Sequence, residues 1–375
     1  MEATVSERKP AELFPPGDYI KEELEARGWT QADLAEIMGR SPNDIVNLVS
    51  GKRSISPEIA KELAAALGTS PDMWINLESS YRLWVADAPP DAIKRRAFLH
   101  GLAPYKEMGR RRWLELSENI VVLEQRIMDY FEMARIDAPI VQPFASRKST
   151  PDVSPAQLAW VFRAKHLART VPAGPYSARS FERAIPSLKS LLLSAPEARH
   201  VPRILSEAGI RFLVVEQLTK AKIDGATLWL DAKSPVVALS LRYDRMDYFW
   251  YTLCHELGHV VHGDGGHLDE GIFGEDRSSD EDIAEREANQ FAADFLINQA
   301  ALDDFIARNG PLYRGDKIRN FARLRGIHPV LVIGQLQHRG EVPWSHFHAM
   351  LDKVRPFVTQ SALTDGWGQV LPILN

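Results

Sequence analysis

The spacing of apolar residues along this chain changes character along its length. From 18 to 85 they recur at helical intervals in short runs, which predicts a cluster of short helices. Pro89 and Pro90 break that pattern, and 91–135 reads as helical again. The segment 137–155 is rich in Pro and Ser and predicts a linker or surface crossing. Helical spacing resumes over 156–208, interrupted at Pro172, Gly174, Pro175 and Pro186.

A different texture follows. Ile210 to Val215 and Thr227 to Leu230 are β-rich runs, with Ile223, Asp224 and Gly225 between them read as a turn. Val236 to Leu241 is a third apolar run, after Ser234 and Pro235. A helix then starts near Arg245 and contains His255. The stretch 263–280, rich in Gly, Asp and Ser, predicts a loop, and a second strong helix spans about 280–298. Helices finish the chain, with Pro329 and Pro343 as breaks. The expected fold class is mainly α with a small β-sheet, an α+β arrangement. Its expected parts are an all-α domain over 1–85, a helical connector and linker over 86–155, a mixed domain over 156–310 and a helical region over 311–375.

Composition narrows the function classes. A chain of 375 residues has room for two or three cores. A formal charge of −5 favours neither wholesale nucleic-acid coating nor an acidic tail. A single cysteine, Cys254, excludes an internal disulfide framework. The charged stretch Met1 to Pro16 has no apolar signal-peptide core, and no apolar run reaches membrane-spanning length. These features predict a cytoplasmic protein without a membrane partner.

The sharpest chemical signal is His255-Glu256-Leu257-Gly258-His259. Residues four apart share a helix face, so His255 and His259 can aim two imidazoles at one ion. Glu256 lies about 100° around the helix, beside the metal rather than on it, where it can act as a general base. Two neutral nitrogens, a carboxylate and an open position suit zinc. A pentad of this kind also occurs by chance in unrelated helices. Here the apolar segment Phe249 to Leu253 ahead of it fits a buried active-site helix, and the second helix supplies a third ligand.

That second helix buries Ala284, Ala288, Phe291, Ala292 and Phe295 on one stripe. Glu285 lies roughly 60° from Ala288 and can reach inward, whereas Glu287, roughly 100° away on the other side, should be solvated. Asn289, one turn beyond Glu285, can hydrogen-bond a ligand. Glu281 is the alternative carboxylate. His262 misses the third-histidine spacing of the metzincins, and both it and His267 read as polar residues of the helix end and loop. Cys254 reads as a packed thiol, and the loop 263–279 as either a gate or a plain connection.

Near the N-terminus, Thr30 caps one helix, Gly39 permits a tight turn, and Ser41 with Pro42 opens the next. Leu34, Ala35, Met38, Ile45 and Leu48 supply a shared core. The second helix leaves Asn43, Asp44 and Asn47 outward, with Lys52 and Arg53 past its end, as groove docking requires. Against this, residues 1–80 hold 8 Lys+Arg and 14 Asp+Glu, a balance of −6. The cationic residues Lys94, Arg95, Arg96, Lys106, Arg110, Arg111 and Arg112 either offset that field or form a solvated face.

Two resemblances rest on these residues. Residues 201–300 resemble the ImmA/IrrE metallopeptidases, through Ala208-Gly209-Ile210, Ile223-Asp224-Gly225-Ala226, the His255–His259 pentad and the run from Glu285 to Ala293. The resemblance implies a gluzincin-like domain binding Zn2+ through His255, His259 and Glu285, with Glu256 as base and a repressor or antitoxin as protein substrate. It also implies that Val236 to Leu241 is the strand ahead of the zinc helix, expected to be an edge that pairs with extended substrate. Residues 16–83 resemble the XRE-type helix-turn-helix of HigA-like antitoxins, including Gly51-Lys52-Arg53-Ser54 and Leu67-Gly68-Thr69-Ser70-Pro71. This implies DNA contacts from Gln31, Ser41, Asn43, Asn47, Lys52 and Arg53, and a possible homodimer. Two functions remain open: a regulatory zinc endopeptidase coupled to DNA, or a DNA-binding regulator or antitoxin whose zinc domain senses or scaffolds without turnover.

Overall fold

The computed structural model describes residues 14–86, 90–141, 153–263, 267–270 (backbone) and 283–366. Two compact units result, residues 1–91 and 92–375. The architecture is mainly α with one small sheet.

In the first unit five helices run α1 Pro16–Arg27, α2 Gln31–Ile37, α3 Pro42–Val49, α4 Pro57–Leu67 and α5 Pro71–Val85. Their starts are written in the sequence. Thr30, Ser41, Ser56 and Ser70 each accept a hydrogen bond from a first-turn amide, and a proline follows the last three at the first helical position. Ile20, Leu34, Ile45, Leu63 and Trp74 form the buried centre.

Beginning at the boundary between the units, α6 Asp91–Leu102 is followed in the second by α7 Tyr105–Arg110, α8 Ile120–Tyr130, α9 Pro155–Ala168, α10 Ala178–Ser190 and α11 Val201–Glu207. The strands are β1 Arg211–Val214, β2 Ile223–Trp229, β3 Pro235–Leu239, β4 His267–Glu270 and β5 Leu363–Thr364. The two helices of interest are α12 Met246–His262 and α13 Ile283–Leu296. They are followed by α14 Gln299–Asn309, α15 Gly315–Arg325, α16 Pro329–His338 and α17 Arg355–Val358. Strand order is β4-β2-β3-β1-β5. β1 is parallel to β3 and β5, and β2 is antiparallel to β3 and β4.

Both sheet faces are covered. Phe212, Val214, Val237 and Leu239 join α12, α13 and α16 in one core, while Leu213, Val236, Ala238 and Leu228 join α6 to α9 in another. A sheet buried on both faces reads as continuous apolar runs, which is why these strands were visible without alternation. Helices within 86–155 therefore contribute Leu99, Met108, Leu123 and Ile127 to a core shared with the sheet.

Several expectations need correction. Residues 223–225 open β2 instead of turning, because Gly225 pairs with Leu239 and packs under α12. Val236 to Leu241 contributes β3, an interior strand between β2 and β1, so its main chain is already paired on both sides and no substrate can add there. The described sheet edges are β4 and β5. β4 itself lies inside the expected loop, and β5 adds a strand where helices alone were expected. Pro186 lies within α10 and does not end it, whereas Pro329 does mark a break, opening α16 after α15 ends at Arg325.

Candidate metal centre and nucleic-acid interface

α12 carries His255, Glu256 and His259, all buried to 1% exposure or less. α13 crosses it closely, since a Cβ built on Gly258 would stand 2.9 Å from Ala288 Cα. That approach brings Glu285, one turn before Asn289, over the histidines. His255 Nε2 and His259 Nε2 are 3.2 Å apart, and Glu285 stands 3.3 Å from His255 Nε2 and 3.6 Å from His259 Nε2. Donors on a tetrahedral zinc with bonds of about 2.0–2.1 Å are separated by about 3.3 Å, so this donor set fits the ion in chemistry and in spacing. Two buried imidazoles and a half-buried carboxylate thus present three donor atoms to one point, the arrangement that could hold a metal ion.

The ring of His255 is oriented from behind. Its Nδ1 lies 3.1 Å from Asn289 Oδ1, and the same oxygen accepts from Tyr251 Oη at 3.1 Å. A donated Nδ1–H leaves the Nε2 lone pair facing the triad. Glu256 is held differently. The Thr227 hydroxyl on β2 lies 2.7 Å from Glu256 Oε2 and 3.0 Å from its backbone oxygen. A Cβ on Gly225 would stand 2.2 Å from Glu256 Oε1, so only glycine leaves that carboxylate room.

Sequence reasoning named His255, His259, Glu285, Glu256 and Asn289; the fold brings His255, His259, Glu285 and Asn289 together, and it sets the Glu256 carboxylate against Thr227 and Gly225 of β2. That reasoning missed Thr227, Tyr251 and the packing duties of Gly225 and Gly258. The pattern of Thr227 in a strand run carried no chemical signal, and the Asp-Gly pair was read as turn chemistry. His262 faces Glu287 at 3.7 Å at the helix end, away from the triad. Cys254 is fully buried, and burial pushes its thiol far up, which suits a packed, unreactive group. Glu281, the His267 side chain and most of the segment 263–279 lie outside the described residues.

In the first unit Asn43, Lys52 and Arg53 are exposed, and Gln31 and Asn47 are half-buried. Two candidates are already engaged. Ser41 Oγ caps the Asp44 amide at 3.1 Å, and Arg53 is ion-paired with Asp44. The Ser41 hydroxyl, with smaller help from Arg53 and Arg40, holds the Asp44 carboxyl below the usual range. The cationic stretch after 91 is also partly spent. Arg95 pairs with Glu124, and buried Arg111 holds Glu107 and the carbonyls of Glu216 and Gln217. Lys94, Lys106, Arg110 and Arg112 stay exposed.

Comparison with known proteins matches residues 20–74 to the helix-turn-helix family and residues 206–323 to the IrrE N-terminal-like domain. An HTH-type transcriptional regulator of Escherichia coli, YddM, is 33% identical over 81 residues, 22% of this chain and 86% of that protein. Antitoxin HigA-1 of Vibrio cholerae is 39% identical over 80 residues, 21% of this chain and 72% of that one. A solved addiction module antidote protein of a HigA family from Coxiella burnetii is 25% identical over 28% of this chain and 95% of its own, with a TM-score of 0.18.

Proposed function

This chain belongs to the HigA-like, XRE-type helix-turn-helix regulators and carries an IrrE N-terminal-like domain, and on that footing we propose that it is a zinc-dependent regulatory endopeptidase. It cleaves a protein partner, a repressor or antitoxin, and its helix-turn-helix domain couples that cleavage to DNA. The observation that carries the reading is the convergence of His255, His259 and Glu285 with Glu256 alongside. The peptidase proper comprises 156–310, supported by the helices of 86–155 and 311–375. The protein acts in the cytoplasm, as a homodimer on its operator.

His255 Nε2, His259 Nε2 and the Glu285 carboxylate hold the ion. Zinc bound there supplies Lewis-acid polarisation of water and of the scissile carbonyl. Glu256 Oε1 takes the proton of the attacking water and returns it to the leaving amine, while Oε2 stays bonded to Thr227. Asn289 and Tyr251 fix the His255 ring so that no reorientation is needed during the reaction.

The test is incubation of the zinc-loaded protein with candidate repressors and antitoxins, wild type against Glu256→Gln. The wild type should cut at least one of them and the variant should be slower by at least about a hundredfold, the range of a lost general base. A zinc-replete wild type that cuts nothing defeats the enzyme reading. The second reading, a regulator or antitoxin whose metal domain senses without turnover, draws on the similarity of an 80-residue stretch of the chain to Antitoxin HigA-1. It keeps promoter binding and predicts no cleavage.

A further inference from the structure

On the flank of the metal triad, between α12, α13 and α16, lies a cavity of about 310 Å³. Tyr251, Arg286, Asn289, Gln335, His338 and Arg339 line it, and no carboxylate does. We propose that this cavity is a subsite for a carboxylate of the substrate chain, either an Asp or Glu side chain near the scissile bond or the chain's C-terminal group. The proposal rests on the peptidase reading and adds a substrate class to it.

Position is the first argument. Asn289 Oδ1 touches both Tyr251 Oη and His255 Nδ1, so the cavity wall is one hydrogen bond from a metal-binding side chain. Chemistry is the second. Arg286 has no ion-pair partner among the described residues and is exposed to the cavity mouth. Arg339 is steered by Asp303 at 2.6 Å and by Gln299 Oε1, which fixes its guanidinium plane while leaving further N–H groups to donate. A planar guanidinium is the group best matched to a carboxylate.

The floor is the third argument. Gln335 is 5% exposed, donates to Ala293 O at 3.1 Å and accepts from Gln299 Nε2 at 3.1 Å. It is therefore rigid and polar before any ligand arrives. Two carboxylates border this wall and are engaged already, Asp303 with Arg339 and Asp294 with the Gln290 amide at 2.7 Å. An apolar side chain here would strip water from guanidinium and amide groups and return no partner. The volume holds one carboxylate side chain with several waters, at about 30 Å³ for each water.

Two measurements test the proposal separately from the peptidase reading. The first titrates the zinc-loaded Glu256→Gln protein with acetyl-Ala-Ala-Glu-Ala-Ala-amide and with its Gln counterpart. The Glu peptide should bind about tenfold more tightly, the scale of a charge-assisted hydrogen bond, and Arg286→Ala should erase the difference. The second digests a peptide library, with free and with amidated C-termini, using wild type, Arg286→Ala and Arg286→Glu. Wild type should favour Asp or Glu at one fixed position, or require the free terminus. Arg286→Ala should lose that preference and Arg286→Glu should turn it toward Lys or Arg. Cleavage without acidic or terminal preference overturns the subsite and leaves the peptidase standing, as does equal binding of the two amidated peptides together with no requirement for a free terminus. Selective binding of the Glu peptide with no cleavage of any library sustains the subsite and removes the peptidase.

Discussion

A Cβ on Gly225 would lie 2.2 Å from Glu256 Oε1, while Thr227, two residues on, lies 2.7 Å from Oε2. One short stretch of β2 thus governs both oxygens of the proposed base. Gly225→Ala must displace a buried carboxylate that has little room to move. It should cost about 1–3 kcal/mol of stability, as overpacking does, and lower cleavage further than that loss explains. Urea midpoints and rates measured side by side decide it, and a variant equal to wild type in both contradicts the geometry. The proposed ligands themselves were legible because helical spacing fixes which side chains share a face. Thr227 and Gly225 were not, because their roles come from a strand pressed against the helix, a contact that no local pattern encodes.

At the scale of elements, caps and breaks were readable and pairing was not. Thr30 and Ser41 cap as expected, since the side-chain oxygen and the orphan amide are neighbours in sequence. β3 was expected at an edge from the family resemblance alone, and its pairing with β2 on one side and β1 on the other is a long-range property that no local pattern encodes. β5 is two residues long and too short to show any period. α16 carries a prediction of its own. His328 Nδ1 accepts from the Val330 amide at 3.3 Å, so the neutral ring caps the helix. Burial lowers the His328 pKa below 6.5, against the opposing pull of Asp352 at 3.2 Å. A lowered folded pKa means stability that is present above the unfolded value and is lost as pH falls through the folded one. Acidification from pH 7 to 5 should therefore destabilise the second unit, with a cap's worth, about 1 kcal/mol, as the scale. His328→Asn keeps an acceptor that does not titrate, so its melting temperature should fall less over that range. Identical slopes for both proteins would refute the assignment.

At the scale of the whole molecule, an acidic helix-turn-helix domain is joined to a zinc-fitting domain, and no described helix is long and apolar enough to cross a membrane. With a balance of −6 over residues 1–80, few cations are on hand for phosphate, and Arg53 would reach one only with the N–H groups that its pair with Asp44 leaves over. Lys52→Ala should reduce the slope of log affinity against log salt by about 0.9 and leave sequence preference intact. Parallel salt plots for the two proteins would show that Lys52 touches no phosphate.

The direct test of the central claim is zinc stoichiometry by elemental analysis after dialysis, for wild type, His255→Ala and Asn289→Ala. One zinc per chain should remain in the wild type and none in His255→Ala. Asn289→Ala should bind about 10–100-fold more weakly, since it removes the partner that orients the ligand. Folded His255→Ala protein retaining the same zinc as wild type, or a wild type that takes up none from a zinc-replete buffer, would contradict the site on which the proposed chemistry depends.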